Sequence, residues 1–298
     1  MEKLLITGGT GTIGKELLKK LHTKYEIRVI SRDELKQAEL KPKYPDVDFM
    51  ITDVRDYRAV LKAMVGMDIV IHAAAMKRIE VCEEYPIEAV KTNVLGTENV
   101  VNAARERGIA KLVSIGTDKD CEPINVYGMT KAIEEKITLS AGYNCVRYGN
   151  VFGSRGSVVS LFLQQKQNES PLTVTDAEMR RFILTTDEAM DLLLLALNSP
   201  MEGTIFVKKS PAAKVGDIAK AFGDNIKVIG AYPFEKKYEM LLTADEMSRA
   251  EDKDGHYIIY QDKKHLNYKE PYTSDTTDLL TVDQIKELIK KYVIKEEE

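Results

Sequence analysis

Within fifteen residues the chain passes from an apolar strand, expected over 4–7, through Gly8-Gly9-Thr10-Gly11-Thr12-Ile13-Gly14 into an amphipathic helix expected over 13–21. No other feature narrows the possible folds as much. Counted from Gly8 the glycines read G-x-x-G-x-x-G, and from Gly9 they read G-x-G-x-x-G. Glycine allows the tight turn after a strand and a close backbone approach to a pyrophosphate, which the helix N-terminus meets with N–H groups. A glycine motif alone also suits an ordinary turn, so the strand–turn–helix setting is what marks a dinucleotide cradle. Gly8, Thr10, Gly11, Thr12, Ile13 and Gly14 are its expected contacts.

Further apolar runs at 27–30, 48–51, 69–73, 112–115 and 145–147 alternate with segments of apolar spacing near 3.6 at 57–64, 87–107 and 126–140. This is the pattern of parallel strands joined by crossover helices. Right-handed crossovers make it a doubly wound α/β sheet of Rossmann type, with its ligand crevice at the carboxyl ends of the strands. Beyond residue 150 the alternation weakens. Helices are expected at 158–167, 187–197 and 282–292, strands at 172–174 and 204–207, and Thr281 with Gln284 forms a capping box for the last helix. The expected organisation is a dinucleotide-binding domain over 1–150, rejoined by 183–207. A smaller, interleaved C-terminal substrate-binding lobe takes 151–182 and 208–298.

A net charge of -4 on 298 residues, with signs interspersed, gives no attraction to nucleic acid or an anionic membrane. The longest apolar run, 192–197, is too short to cross a bilayer, and the first strand begins too early to leave room for a signal peptide. A soluble, cytoplasmic chain is expected. Cys82, Cys121 and Cys145 lack metal-type spacing, which implies reduced thiols and no metal site. Cys121 lies near the reactive stretch described next, but a lone thiol is ordinarily inert.

The end of the second strand selects the nucleotide. A carboxylate there bonds a ribose 2′-OH, and a cation there accepts a 2′-phosphate. The chain has Ser31-Arg32 and then Asp33. Hydroxyl and guanidinium together favour NADP; in the opposing reading Asp33 takes the ribose and Arg32 is a surface charge. Asp53-Val54 should flank the adenine, and Ala73-Ala74-Ala75 should line the nicotinamide side.

Tyr127 and Lys131 lie four apart on the helix over 126–140 and so share one face. A nearby ammonium lowers a phenol's pKa, which lets Tyr127 accept a proton from a sugar hydroxyl as hydride leaves the carbon. Thr117, at the preceding strand end, is placed to hold that hydroxyl. Asp118 and Lys119 follow it. Once C4 of a sugar is a ketone, elimination across C5–C6 needs one base and one acid. Lys119, neutralised by desolvation, is the expected base, and Asp118 the acid at O6.

The ordered set Gly-Gly-Thr-Gly-Thr-Ile-Gly, Ser-Arg-Asp-Glu-Leu-Lys (31–36), Asp-Val-Arg-Asp (53–56), His-Ala-Ala-Ala-Met-Lys (72–77), Lys-Thr-Asn (91–93), Thr-Asp-Lys, Tyr-Gly-Met-Thr-Lys and Arg-Tyr-Gly-Asn-Val (147–151) resembles the extended short-chain dehydrogenase/reductases. Within them it is most similar to the inverting UDP-N-acetylglucosamine 4,6-dehydratases (5-epimerising). Gly-Ser-Arg-Gly-Ser-Val-Val (153–159) and Met-Arg-Arg-Phe (179–182) extend the likeness over nearly the whole chain.

The resemblance implies oxidation at C4, loss of water across C5–C6, hydride return to C6 and reprotonation of C5 from the opposite face. Retaining relatives usually carry glutamate where Lys119 stands, so Lys119 argues for inversion. It also implies cofactor contacts at Lys36 and Asn93, and UDP-sugar contacts at Lys77, Asn150, Val151, Arg155, Val159, Thr173, Val174 and Arg181, with assembly as a homo-oligomer. The family's Arg-x-Gly-Glu-Lys segment reads Tyr232-Pro233-Phe234-Glu235-Lys236 here; Glu235 is kept, while Tyr232 and Phe234 replace the arginine and glycine. A UDP-sugar 4-epimerase, which needs neither Asp118 nor Lys119, is the rival enzyme. A non-catalytic NADP-binding sensor is the rival of another class.

Overall fold

The computed structural model describes residues 1–154, 156–261 and 268–293. Six strands open the chain: β1 (Lys3–Thr7), β2 (Glu26–Ser31), β3 (Asp48–Ile51), β4 (Ile69–His72), β5 (Lys111–Ile115) and β6 (Asn144–Arg147). Between them run α1 (Thr12–Leu21), α2 (Glu34–Leu40), α3 (Tyr57–Ala63), α4 (Ile79–Glu84), α5 (Pro86–Ala89), α6 (Gly96–Arg107) and α7 (Val126–Ser140). The middle of the chain adds β7 (Asn150–Val151), α8 (Val158–Gln167), β8 (Leu172–Val174), β9 (Arg180–Leu184), α9 (Thr186–Asn198) and β10 (Ile205–Lys208). Then come β11 (Ala212–Lys214), α10 (Val215–Phe222), β12 (Ile226–Val228), β13 (Met240–Leu242), α11 (Ala244–Arg249), β14 (Ala250–Lys253), β15 (His256–Ile259), β16 (Tyr272–Thr273) and α12 (Val282–Tyr292).

The first six strands pair in parallel in the order β3-β2-β1-β4-β5-β6, and β10 adds beside β6. This is the doubly wound sheet expected from the sequence. Its central strands are apolar on both faces because both faces are covered. On one side Leu4 and Ile6 pack against Leu17 and Leu18 of α1 and Leu192 and Leu193 of α9. On the other, Leu5, Ile30 and Val70 pack against Val60 of α3 and Val100 of α6. Each fully buried leucine contributes about 1.5–3 kcal/mol, so Leu18→Ala should cost about 2–5 kcal/mol. A separate core, with Phe162, Val174, Ile218, Phe222, Ile285 and Ile289, knits α8, α10 and α12 together. The Thr281–Gln284 capping box opens α12.

Two local expectations change. Residues 208–298 were expected in the second lobe, but β15 and β14 extend the central sheet antiparallel beyond β10. They cover the β10 edge, and Ile259 joins Cys145 and Val207 in a shared core. The single helix expected over 87–107 is three segments: α5, a π-helical turn at Val90–Leu95, and α6. No proline or glycine interrupts residues 87–95, so the apolar spacing reads straight through. The wider turn buries Asn93, whose side chain accepts from Met76 N (2.7 Å) and donates to Met76 O (3.0 Å) and Thr130 Oγ1 (2.9 Å). Such turns concentrate at functional sites.

Candidate active site

The cradle forms as its glycines require. Gly8 has φ +67, and a Cβ there would lie 2.8 Å from Ala73 O and from Ala74 N and Cα. The loop and the end of β4 therefore touch backbone to backbone. Gly11 stands at the N-cap of α1 without any side-chain bond, and no acid occupies the first turn. Both conditions suit an incoming pyrophosphate.

A buried chain of hydrogen bonds ties this loop to β4. Thr97 Oγ1 donates to Asn93 O (2.6 Å), so its oxygen accepts from His72 Nε2 (2.9 Å). His72 Nδ1 must then accept from Thr7 Oγ1 (2.7 Å), which itself accepts from Ala73 N (3.1 Å) and Ala74 N (3.2 Å). The network admits one tautomer and no second imidazole proton. Burial, with Lys131 nearby, pushes His72 down to about 3. His72 thus fixes Ala73 and Ala74, the residues expected beside the nicotinamide; Ala75 beyond them is exposed.

At the end of β2, Asp33 caps α2 by accepting from Lys36 N (3.0 Å) and forms an ion pair with Lys36 Nζ. Arg32 is 55% exposed, and its guanidinium comes within 4.0 Å of Asp53. Asp53 is bound closely by Arg55 (2.7 Å); burial opposes its ionisation, but the two arginines hold it below the usual carboxylate range. Buried Gln37, with no signal of its own in the sequence, donates to Ser31 Oγ (2.9 Å), Ser31 O (3.1 Å) and Met50 O (2.9 Å), locking β2 to β3. Val54 is buried in the α3–α6 core. Asn93 is likewise enclosed and positions the loop after β4; its side chain touches no open site.

The reaction group assembles where β5 and α7 meet. Asn125 caps α7 by accepting from Gly128 N (2.8 Å), which directs the first turn and Tyr127 at the strand ends. Thr117 Oγ1 donates to Asp118 Oδ1 (3.1 Å), and the same hydroxyl partners the Tyr127 phenol. Burial pushes that phenol above its ordinary value, against the Thr117 bond. Lys131 forms a buried ion pair with Glu134.

Lys119 Nζ lies 2.8 Å from Asp118 Oδ1, 3.2 Å from Asn150 Oδ1 and 3.5 Å from Glu239 Oε1. Here the expectation of a desolvated, neutral Lys119 is reversed. Burial alone would lower its pKa, but Asp118 and Glu239 outweigh both burial and Arg181 and raise it. Asp118 is 0% exposed, and its Oδ2 has no partner among the described residues. Glu239, which no sequence motif marks, also reaches Arg181 Nε at 3.7 Å. It therefore links two expected site residues, Lys119 and Arg181, from a distant stretch of the chain.

Arg147, at the end of β6, braces this loop from below. It bonds Glu135 (2.7 and 3.1 Å), Glu246 of α11 (2.9 and 3.0 Å) and Leu241 O (2.9 Å), and it lies 3.1 Å from Asp120. Asp120 Oδ2 in turn accepts from Thr117 N (3.1 Å). Burial, opposed by Arg147, pushes Asp120 up to about 7. Glu246 is drawn down to about 2, because Arg147 outweighs burial. Cys121 sits in this cluster with its thiol pushed well above normal by burial, the state of an inert thiol.

The remaining expected substrate residues divide. Asn150 and Arg181 meet the Lys119–Glu239 group, and Lys77 is exposed near the end of β4. Val151, Val159 and Val174 have their side chains in the apolar cores. The hydroxyl of Thr173 accepts from Gln165 (2.7 Å). Glu235 accepts from Tyr232 N (3.1 Å), which folds its segment so that the Tyr232 and Phe234 rings stack 5.3 Å apart. Asn125 Nδ2 bonds Phe234 O (3.1 Å), so this segment rests on the N-terminus of α7. Arg155 lies outside the described residues.

Parallel order 3-2-1-4-5-6, a glycine loop at the first strand end and a Tyr127–Lys131 helix after the fifth strand define an enzyme of the extended short-chain dehydrogenase/reductase class. The chain belongs to the family described as polysaccharide biosynthesis protein, whose model matches residues 4–261. A relative named UDP-glucose 4-epimerase, from Rickettsia akari (strain Hartford), is 39% identical over 96% of this chain and 94% of its own. The X-ray structure of Pen from Bacillus thuringiensis is 35% identical, with a TM-score of 0.92 over 97% of both chains. DesIV from Streptomyces venezuelae, a dTDP-glucose 4,6-dehydratase solved with NAD and TYD bound, shares the fold at 19% identity, with a TM-score of 0.72 over 78% of this chain and 86% of that one. Among the described residues no helix is long and apolar enough to cross a membrane.

Proposed function

We propose that the protein is an NADP-dependent UDP-N-acetylglucosamine 4,6-dehydratase that inverts C5, yielding a UDP-4-keto-6-deoxy-L-hexosamine for glycan biosynthesis. One observation carries this reading: a Lys119–Asp118 pair, 2.8 Å apart with its carboxylate fully buried, beside the threonine that partners Tyr127. Oxidation at a single carbon needs no such pair.

The close Gly8–Ala73 approach and the uncapped start of α1 fit a dinucleotide. When bound, the nicotinamide supplies a hydride acceptor at C4 and a hydride donor at C6. Tyr127 takes the O4 proton as tyrosinate, its phenol having first released its own proton against the burial that disfavours the anion, with Thr117 holding the hydroxyl in place. The C4 ketone makes the C5 proton acidic; Lys119 removes it, and Asp118 protonates the departing O6. Moving one proton along the Lys119–Asp118 bond converts their ion pair into the amine and carboxylic acid that this elimination uses. Asp118 Oδ1, the atom that receives this proton from Lys119, is the one that passes it to O6.

The engagement of Asp33 by α2 and Lys36, together with the exposed Arg32, supports NADP. Lys77, Asn150 and Arg181 supply polar groups for a UDP diphosphate and sugar, and Thr173 and Glu235 add to them; Arg155, expected in the same role, lies outside the described residues. The dinucleotide-binding and substrate-binding lobes meet at this group. Exposed Leu95, Met129 and Ile133 support self-association into a homo-oligomer, and a cytoplasmic location suits three free, buried cysteines.

Incubation with UDP-GlcNAc in D2O, followed by NMR, tests the reading. We expect a 6-deoxy-4-keto product of L configuration with deuterium at C5. UDP-GalNAc as the sole product would instead establish a 4-epimerase, the second reading, which the name of the Rickettsia relative favours.

A further inference from the structure

The buried partner of Lys131 is the least expected feature of α7. Because Cβ atoms lean toward a helix N-terminus, residues 127, 131 and 134 line one face in the order phenol, ammonium, carboxylate. Lys131 is ion-paired to Glu134 Oε1, both side chains are buried, and Glu134 Oε2 has no partner among the described residues. The surrounding groups give this carboxylate little help. Glu135 on the same helix adds like charge and is held by Arg147. From β4 comes His72, neutral; from β6 comes Cys145, a thiol pushed well above normal. Asp120 lies in the loop after β5, and the π-helical turn faces α7 with uncharged Asn93. Lys131 is the cation that favours the charged form of Glu134, against burial and Glu135.

The resemblance to the extended short-chain dehydrogenase/reductases also implies that Tyr127 and Lys131 contact the bound dinucleotide. Any movement of the Lys131 ammonium toward a ribose hydroxyl lengthens the pair with Glu134. A buried carboxylate that loses its counter-charge neutralises itself.

We propose that Glu134 is a proton acceptor linked to dinucleotide binding. As Lys131 turns to the bound ribose, Glu134 takes one proton from solvent on Oε2 and becomes a neutral acid, while Lys131 keeps its charge. This rests on the dinucleotide-binding reading but not on which sugar is processed. Burial already holds Glu134 at about 7 in the free protein, and loss of Lys131 raises it further. Binding therefore takes up protons above neutral pH, and affinity falls by up to about tenfold per pH unit there.

Calorimetric titration with NAD+ and with NADP+ at pH 8, in buffers of different ionisation enthalpy, tests this. The wild type should take up nearly one proton per site with either nucleotide; NAD+ has no 2′-phosphate to confuse the count. E134Q should take up none and bind with an affinity flat from pH 6.5 to 8.5. E134A provides the same comparison if circular dichroism shows that the amide variant is unfolded. Saturable binding without uptake in the wild type, or uptake retained in either variant, overturns the proposal alone. Failure of both nucleotides to bind overturns the cofactor reading and the proposal with it.

Discussion

Gly8→Ala separates two physical costs that usually travel together. The residue has φ +67, and side-chain-bearing residues there cost about 1–2 kcal/mol. The added Cβ would also stand 2.8 Å from three backbone atoms of Ala73 and Ala74, where ordinary contact begins near 3.4 Å. Backbone at the end of β4 cannot swing aside as a flexible side chain does, because His72 and Thr7 tie it to β1. Forcing that gap open adds roughly 1–3 kcal/mol, for a total of about 2–5 kcal/mol. Gly66 supplies the control: it has φ +75 but nothing within 4 Å of where a Cβ would stand, so Gly66→Ala carries the backbone cost alone. Urea melts of the two variants should differ by about 1–3 kcal/mol. Only Gly8→Ala should also weaken dinucleotide binding, by about tenfold or more, because the backbone that moves is the floor of the cradle. A Gly8→Ala protein as stable as Gly66→Ala, or one binding dinucleotide like the wild type, would refute the reasoning.

Lys119→Ala should keep dinucleotide and UDP-sugar affinity within about threefold while dehydration falls by at least about 10²; unchanged turnover removes Lys119 from the chemistry. Glu239→Gln withdraws one of the two carboxylates that keep Lys119 charged, so the rising limb of the pH–rate profile should move to lower pH, and a superimposable profile counts against that pairing. Arg147→Met leaves Glu135, Glu246 and Asp120 without their shared cation and should cost about 3–5 kcal/mol in a thermal or urea melt, whereas a loss under about 1 kcal/mol contradicts the brace. Stability should also fall as pH rises from 5.5 to 6.5. Folded Asp120 and Glu134 each hold a proton that the unfolded chain has released, folded His72 lacks one that the unfolded chain binds, and the net of one proton gives about 1.4 kcal/mol per pH unit. Melts of the wild type and Asp120→Asn across that range decide it: the variant should lose the slope.

The parallel half of the fold could be read because each of its first six strands is an apolar run flanked by a turn and an amphipathic helix. The second half offered no such signal. β13 and β16 are three and two residues long and pair only with each other, while β14, Ala-Glu-Asp-Lys, is charged and enters the sheet solely as an edge partner of β15. The site divides in the same way. Gly8, Thr117, Asp118, Lys119, Tyr127 and Lys131 lie in short motifs whose chemistry depends on local spacing. Glu239 and Glu246 reach the site across the fold, and nothing near them in sequence announces the contact. Glu134 was in plain view, yet a Lys and a Glu three apart ordinarily make a solvated helix pair. Burial alone distinguishes this one, and burial is a property of the assembled fold.

Arg147 meets Glu246 across 99 residues, and this separation sets a timetable for the growing chain. At synthesis rates of about 5–20 residues per second, roughly 5–20 s pass between the two. During that interval the loop bearing Asp118 and Lys119 has its strand and its helix but lacks a wall of its electrostatic brace. The nascent chain can therefore complete its glycine loop well before that brace closes, and a chain terminated before α11 would hold the first without the second.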